Sequence, residues 1–190
     1  MTNEQLDQLS INTIRTLSMD AVQEAKSGHP GTPMALAPLV YTIWNRVMRF
    51  DPRDPIWPNR DRFVLSNGHA SMLLWSVLHL TQTQAVNAEY ESLGHPSVSL
   101  DDIRHFCQLD SKAPGHPEYH WVSGVETTFA GRVTWPIRLW LRASWAKNSA
   151  AASMSPRLPA LGWFPARSFR LLPSEAKRAR FLPQAERACE

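Results

Sequence analysis

Cysteine is scarce. Cys107 and Cys189 are the two in 190 residues, too few for a disulfide framework or a cysteine-built zinc cluster, and suited to a reducing, cytoplasmic compartment. Long apolar runs are missing. Met72-Leu73-Leu74-Trp75 is among the longest, far below the roughly 18 residues of a membrane span, so no membrane partner is expected. The opening residues Thr2-Asn3-Glu4-Gln5-Leu6-Asp7 are polar and acidic, unlike a secretory leader. Gly-x-Gly-x-x-Gly, a Walker lysine motif and a Gly-x-Ser-x-Gly elbow are all absent. Those absences argue against a dinucleotide fingerprint, a P-loop and a hydrolase nucleophile. No histidine pair stands at metal-ligand spacing on a predicted helix, and no residue is assigned to a metal.

Acidic charge is scarce in one stretch. After Thr128 the chain has no aspartate, histidine or tyrosine. Residues 1–128 carry 9 Lys+Arg against 14 Asp+Glu, a net of −5, whereas residues 129–190 carry 11 against 3, a net of +8. The formal charge of +3 hides two unlike segments. The reading is therefore divided at that point, into 1–128 and 129–190.

The first segment has the marks of one ordinary domain. Leu6, Leu9, Ile14, Leu17, Ala21 and Ala25 form one helical stripe over about Asn3–Lys26. Thr2 and Gln5 fit a capping box, and Gly28 is the expected stop. A second helix is predicted to start with Thr32 as cap and Pro33 in its first turn. Pro52, Pro55 and Pro58 keep residues 51–59 out of a helix. Arg62–Ser66 reads as a short strand, Asn67-Gly68-His69 as a tight turn, and Ala70–Leu80 as a helix apolar enough to be buried. Strand, turn and buried helix make a βα unit of an open parallel sheet, whose ligands collect beyond the strands' carboxyl ends. A short helix over Leu100–Cys107 is predicted, with Ser99 and Asp102 as a capping box.

All seven histidines precede Thr128. His29, His69, His95 and His116 each follow a glycine, and His29, His95 and His116 each precede a proline. Glycine allows close approach of a ligand, proline stiffens the loop, and an imidazole between them can donate or accept a proton near neutrality. The bland alternative is that glycine and proline simply mark loops, and it weighs heavily for any single Gly-His-Pro. His69 has more behind it, because a helix N-terminus after a strand favours anions such as phosphate. His79, inside the apolar helix, is expected to be a hydrogen-bonded structural residue, as are His105 and His120.

Three segments carry a resemblance. Lys26-Ser27-Gly28-His29-Pro30-Gly31, Asp61-Arg62-Phe63-Val64-Leu65-Ser66-Asn67-Gly68-His69-Ala70 and Pro114-Gly115-His116-Pro117-Glu118 stand in the order and spacing of transketolases, and Gly124-Val125-Glu126-Thr127-Thr128 continues the match. The resemblance implies an α/β fold: the incomplete first part of a thiamine diphosphate-binding domain, with a parallel sheet and helices on both faces. It implies transfer of a two-carbon ketol unit between sugar phosphates, thiamine diphosphate with Mg or Ca as cofactors, and a homodimer. His29 resembles the histidine that contacts substrate and assists proton transfer, and is the catalytic candidate. His69 resembles the one near the cofactor diphosphate. His116 resembles a third, lining the donor-substrate pocket together with His29. His95 lies in a variable stretch and is not carried over.

After Thr128 the family pattern lapses. Phe129-Ala130-Gly131-Arg132-Val133-Thr134-Trp135 stands where the family has a third threonine and Gly-Pro-Leu-Gly-Gln-Gly. The family's metal-holding Gly-Asp-Gly is also missing. The glutamate that activates the cofactor belongs to a later family domain with no counterpart in this sequence. Of the 62 residues from Phe129 to Glu190, 44 are Ala, Arg, Leu, Pro, Ser or Trp, and no strand or helix period persists. This is the composition of a GC-rich gene read out of frame, so an irregular, non-homologous tail and a frameshift near codon 128 are expected. The rival reading is a non-catalytic protein whose Arg/Trp-rich tail contacts single-stranded nucleic acid through charge and stacking. On the main reading nucleic acid is not a partner and the chain alone is inactive. A parallel sheet cut after its first strands is also expected to leave apolar helices and a strand edge uncovered, and so to fold poorly.

Overall fold

The computed structural model describes residues 2–118, 122–126 and 138–140, the last three as backbone. Helix α1 spans Asn3–Ala25 and opens with the expected capping box: Gln5 N–H donates to Thr2 Oγ1, and the Thr2 N–H to Gln5 Oε1. Its end differs from expectation. Lys26, not Gly28, takes the left-handed cap conformation with φ 50°. Gly28 sits two residues on with φ +121° and turns the chain toward the next helix.

Helix α2 spans Gly31–Thr42. Pro30 takes the cap position, two residues before the predicted Thr32, and no side chain caps the helix. Pro38 lies inside it and cannot donate to the Met34 carbonyl four residues back. Arg15 of α1 takes that place, its Nε donating to Met34 O at 3.2 Å. The defect in one helix thus becomes a tie to its neighbour. A π-turn, Ile43–Val47, closes the segment, with Met48 N–H bonded to Ile43 O at 2.8 Å. Asp7 of α1 holds this end, accepting from Tyr41 Oη and from Arg46 Nη2, both at 2.7 Å.

Strand β1 is Arg62–Val64, shorter than the predicted Arg62–Ser66. A single 3₁₀ turn, Gly68–Ala70, leads into α3, Ser71–Leu80. Every residue of α3 is buried. Helices α1 and α2 pack on it, with Ser18 and Ser76 hydroxyls 3.4 Å apart across the α1–α3 contact. The expectation of an uncovered apolar helix is thereby corrected: α1 and α2, with Val98, Ile103, Phe106, Val122 and Val125 in the same core, supply the apolar surface that encloses it. Phe63 and Leu65, also buried, extend this core toward Trp44, whose ring meets Phe63 with centroids 4.5 Å apart.

A hairpin that the sequence reading missed follows. β2, Gln84–Val86, pairs antiparallel with β3, Ser92–Pro96, through a bulge. The Asn87 side chain organises its tip by accepting the N–H groups of Glu89 and Glu91. Helix α4, Leu100–Arg104, has the predicted Ser99–Asp102 capping box but ends short of Cys107. Strand β4, Arg138–Trp140, pairs antiparallel with β1. Both ladders among the described residues are two-stranded and antiparallel, and β1 is paired along one edge, with β4. The parallel neighbours that a βα unit needs are not among the described residues. Apart from β4, expectations for residues 129–190 fall outside them, as does His120.

Segment 122–126 is held at several points. Ser123 Oγ accepts from Val86 N–H at 3.0 Å. Gly124, with φ +91°, lies so close to Leu78 that a Cβ there would stand 2.7 Å from its Cδ2. Glu126 bonds to Arg60 and pairs with Arg62 Nε at 3.4 Å. Among the described residues no helix is long and apolar enough to cross a membrane.

Candidate functional site

Three connections come together at the N-terminus of α3. The α1–α2 link carries His29, the β1–α3 turn carries His69, and the segment after α4 carries His116. All three side chains are exposed. The rings of His29 and His69 meet edge to face, with centroids 4.9 Å apart and planes at 71°. Partial burial lowers the pKa of His69 below the ordinary histidine value, and the positive charges available to His29 and then His116 lower it further. Three imidazoles of chain-distant origin therefore share one field.

Each loop is fixed by neighbours behind it. Gly28 stands against Phe106 and Val22: a Cβ there would lie 3.0 Å from Phe106 Cε1 and 3.1 Å from Val22 Cγ2. Both the positive φ and this close approach require glycine. Trp75 of α3 donates its indole N–H to the Pro114 carbonyl at 2.9 Å, fixing the base of the His116 loop. Gly115 abuts Cys107, and an added Cβ would meet its Sγ at 2.8 Å. Burial pushes the Cys107 thiol's pKa up, so a neutral sulfur, not a thiolate, stands behind the imidazoles.

The other histidines lie elsewhere. His79 is buried in α3, its Nδ1 3.1 Å from the Val98 carbonyl, in agreement with the structural role expected for it. His105 turns back to the Asp101 carbonyl at 2.8 Å. His95 lies on the exposed β3 strand with Nδ1 3.0 Å from the Pro96 carbonyl. The sequence reading missed Trp75, Phe106 and Cys107, which lack any motif. A tryptophan in an otherwise apolar helix does need a partner for its N–H, but nothing in the sequence pointed to Pro114.

The cluster suits an anionic, oxygen-rich ligand. Neutral imidazoles can donate or accept, protonated ones attract phosphate, and the adjoining helix N-terminus has the same preference. Ser71, in the first turn of α3, keeps its buried Oγ without a hydrogen-bond partner. These features fit the diphosphate end of a cofactor. Among the described residues no group of three or more His, Cys, Asp or Glu side chains could hold a metal ion, so the cation is given no place here.

Comparison with known proteins agrees with this arrangement. Residues 6–153 match the family model described as transketolase, thiamine diphosphate binding domain, a match that runs past Thr128. The transketolase of a Nostoc species is 51% identical over 125 residues, covering 66% of this chain and 17% of that protein. The transketolase of Geobacillus stearothermophilus is 53% identical over 123 residues, covering 65% and 16%. The crystal structure of Campylobacter jejuni transketolase superposes with a TM-score of 0.54 at 44% identity, covering 65% of this chain and 17% of that one. A Pichia stipitis transketolase complex with sedoheptulose 7-phosphate gives a TM-score of 0.54 at 47% identity, covering 63% and 16%. The chain thus spans about one sixth of the length of these relatives.

Proposed function

Because this chain belongs to the transketolase family, with a partial α/β thiamine diphosphate-binding fold, we propose that residues 1–128 are the first part of the diphosphate-side scaffold of a two-carbon ketol transferase. When bound, thiamine diphosphate supplies the carbanion that attacks the donor carbonyl. The residues of this chain place and protonate. His69, at the entrance to α3, holds a diphosphate oxygen. His29, in ring contact with it, touches the reacting hydroxyls and moves their proton, which makes it the catalytic residue. His116 lines the donor side. The observation that carries this reading is the gathering of His29, His69 and His116 at one helix N-terminus. The substrates are sugar phosphates, the intact enzyme is a homodimer with a divalent cation, and its compartment is the cytoplasm.

The 190-residue chain alone is inactive on this reading, because Phe129-Ala130-Gly131 replaces the expected glycine-rich cofactor loop. A frameshift near codon 128 accounts for the change of charge and composition. Reading the coding DNA in its other two frames is the direct check: one frame restores Gly-Pro-Leu-Gly-Gln-Gly, or the frameshift is rejected. The functional test joins residues 1–128 to the remainder of the Geobacillus enzyme and assays xylulose 5-phosphate with ribose 5-phosphate. The chimera is expected to turn over, and His29→Ala to lower its rate at least about a hundredfold, within the usual range for a proton-transfer group. A folded, inactive chimera, or an unaffected His29→Ala, rejects the assignment. Turnover by the purified 190-residue chain rejects its inactivity.

A further inference from the structure

The turn that ends α4 lies behind two of the three histidine loops at once. Phe106 is buried against Gly28, on the loop of His29, while the next residue, Cys107, abuts Gly115, on the loop of His116. The contacts are tight enough that neither glycine can carry a methyl group unless its neighbour yields. Cys107 has φ 57°, and its N–H donates to the Ala113 carbonyl at 3.1 Å. The 107–113 loop is therefore closed on itself, with Cys107 facing the residue before His116. Phe106 N–H is bonded to Ile103 O at 3.1 Å, which ties the same turn to α4. Trp75 holds the other end of the His116 loop through Pro114.

We infer that Phe106 and Cys107 are paired positioning residues: from one turn they set the placement of His29 and His116 about His69. The inference rests on the proposed ligand-facing role of the three histidines for its functional meaning, but its geometry stands apart from that role. A rigid two-residue wedge explains how two loops separated by 87 positions keep a fixed relation to a third. It also explains why each loop has glycine at the point of contact. Neither residue touches the reacting atoms.

The test is histidine NMR on the full 190-residue chain, which needs neither cofactor nor activity. Gly115→Ala is conformationally permitted, because Gly115 is not among the positive-φ glycines. Its new methyl group must push the Cys107 sulfur or the loop. The imidazole resonances of His116 and His69 are expected to move, and the His69 titration midpoint to shift by about 0.3 unit or more, a modest change in the field of one neighbour. Cys107→Ala in the same chain makes room for that methyl group and is expected to restore the parent spectrum. A purely destabilising Gly115→Ala would not be rescued by removing the sulfur. On the other side, Phe106→Leu is expected to weaken the ring-proton cross-peak between His29 and His69 while the chain remains folded by circular dichroism. The inference fails if Gly115→Ala leaves the histidines unmoved or if the double variant does not restore them. If Gly115→Ala unfolds the chain, the Phe106→Leu cross-peak decides. In the chimera, the same substitutions separate the two ideas: rings that move with no change in KM or kcat leave the wedge intact and reject the ligand-facing role.

Discussion

Trp75 and Pro114, 39 residues apart, are joined by one hydrogen bond of 2.9 Å from indole N–H to carbonyl. Trp75 is fully buried, so its N–H must find an acceptor within the protein. The bond therefore links the helix that follows His69 to the loop that presents His116. Trp75→Phe removes the donor and leaves the half-buried Pro114 carbonyl without it. A loss of about 1–3 kcal/mol in urea unfolding is expected, with the His116 resonances displaced. Unchanged stability and an unchanged His116 spectrum would show that the bond holds nothing.

The lowered pKa of His69 makes an acid-side prediction. In the unfolded chain this group titrates near its ordinary 6.5, and in the folded chain below that. Above 6.5 both states are neutral and the full stability is present. As the pH falls through 6.5 toward the folded value, the unfolded chain takes the proton first and stability declines. His69→Gln is expected to flatten the fall in Tm between about pH 7 and pH 5. His29→Asn removes a nearby positive charge and is expected to raise the His69 midpoint in an NMR titration. A midpoint that stays put or falls would contradict the arrangement described.

Pro38 and Arg15 form a pair that a double-mutant cycle can isolate. Arg15→Ala leaves the Met34 carbonyl without its donor, at a cost of about 1 kcal/mol at this partly exposed position. Pro38→Ala supplies a helical N–H for that same carbonyl. In the Pro38→Ala background, Arg15→Ala is expected to cost measurably less in chemical denaturation. Equal costs in both backgrounds would show that arginine does not stand in for the missing bond.

Glu126 is nearly buried between two arginines, with Arg60 itself only 11% exposed. Glu126→Gln keeps the shape and removes the charge. The arginines are then left incompletely compensated, and a loss of about 3 kcal/mol is expected. Glu126→Asp, which retains the charge on a shorter arm, should recover part of it. Thermal melts of the two variants provide the comparison.

Local chemistry accounts for what could be read in the sequence. Both capping boxes, Thr2–Gln5 and Ser99–Asp102, depend on residues three apart, and both are present. The stripe of α1 and the apolar run of α3 follow from burial alone. The ends were harder to place. Lys26 instead of Gly28 closes α1 because the left-handed position falls where the stripe runs out, and a lysine can occupy it. The β2–β3 hairpin was missed because Gln84-Ala85-Val86 shows no alternation, and its turn is organised by the Asn87 side chain without an Asn-Gly signal. At the site, motifs gave the histidines, while the residues behind them stayed hidden. Phe106 and Cys107 act through shape across distant chain, and shape complementarity leaves no spacing to count.

The grip of Arg60 and Arg62 on Glu126 has a practical side for protein engineering. It anchors the backbone two residues ahead of the point where the sequence changes character, so any peptide ligated there departs from one surveyed location. A splice placed after Glu126 inherits that heading from the body of the protein, whereas a splice upstream of Val122 would have to rebuild it.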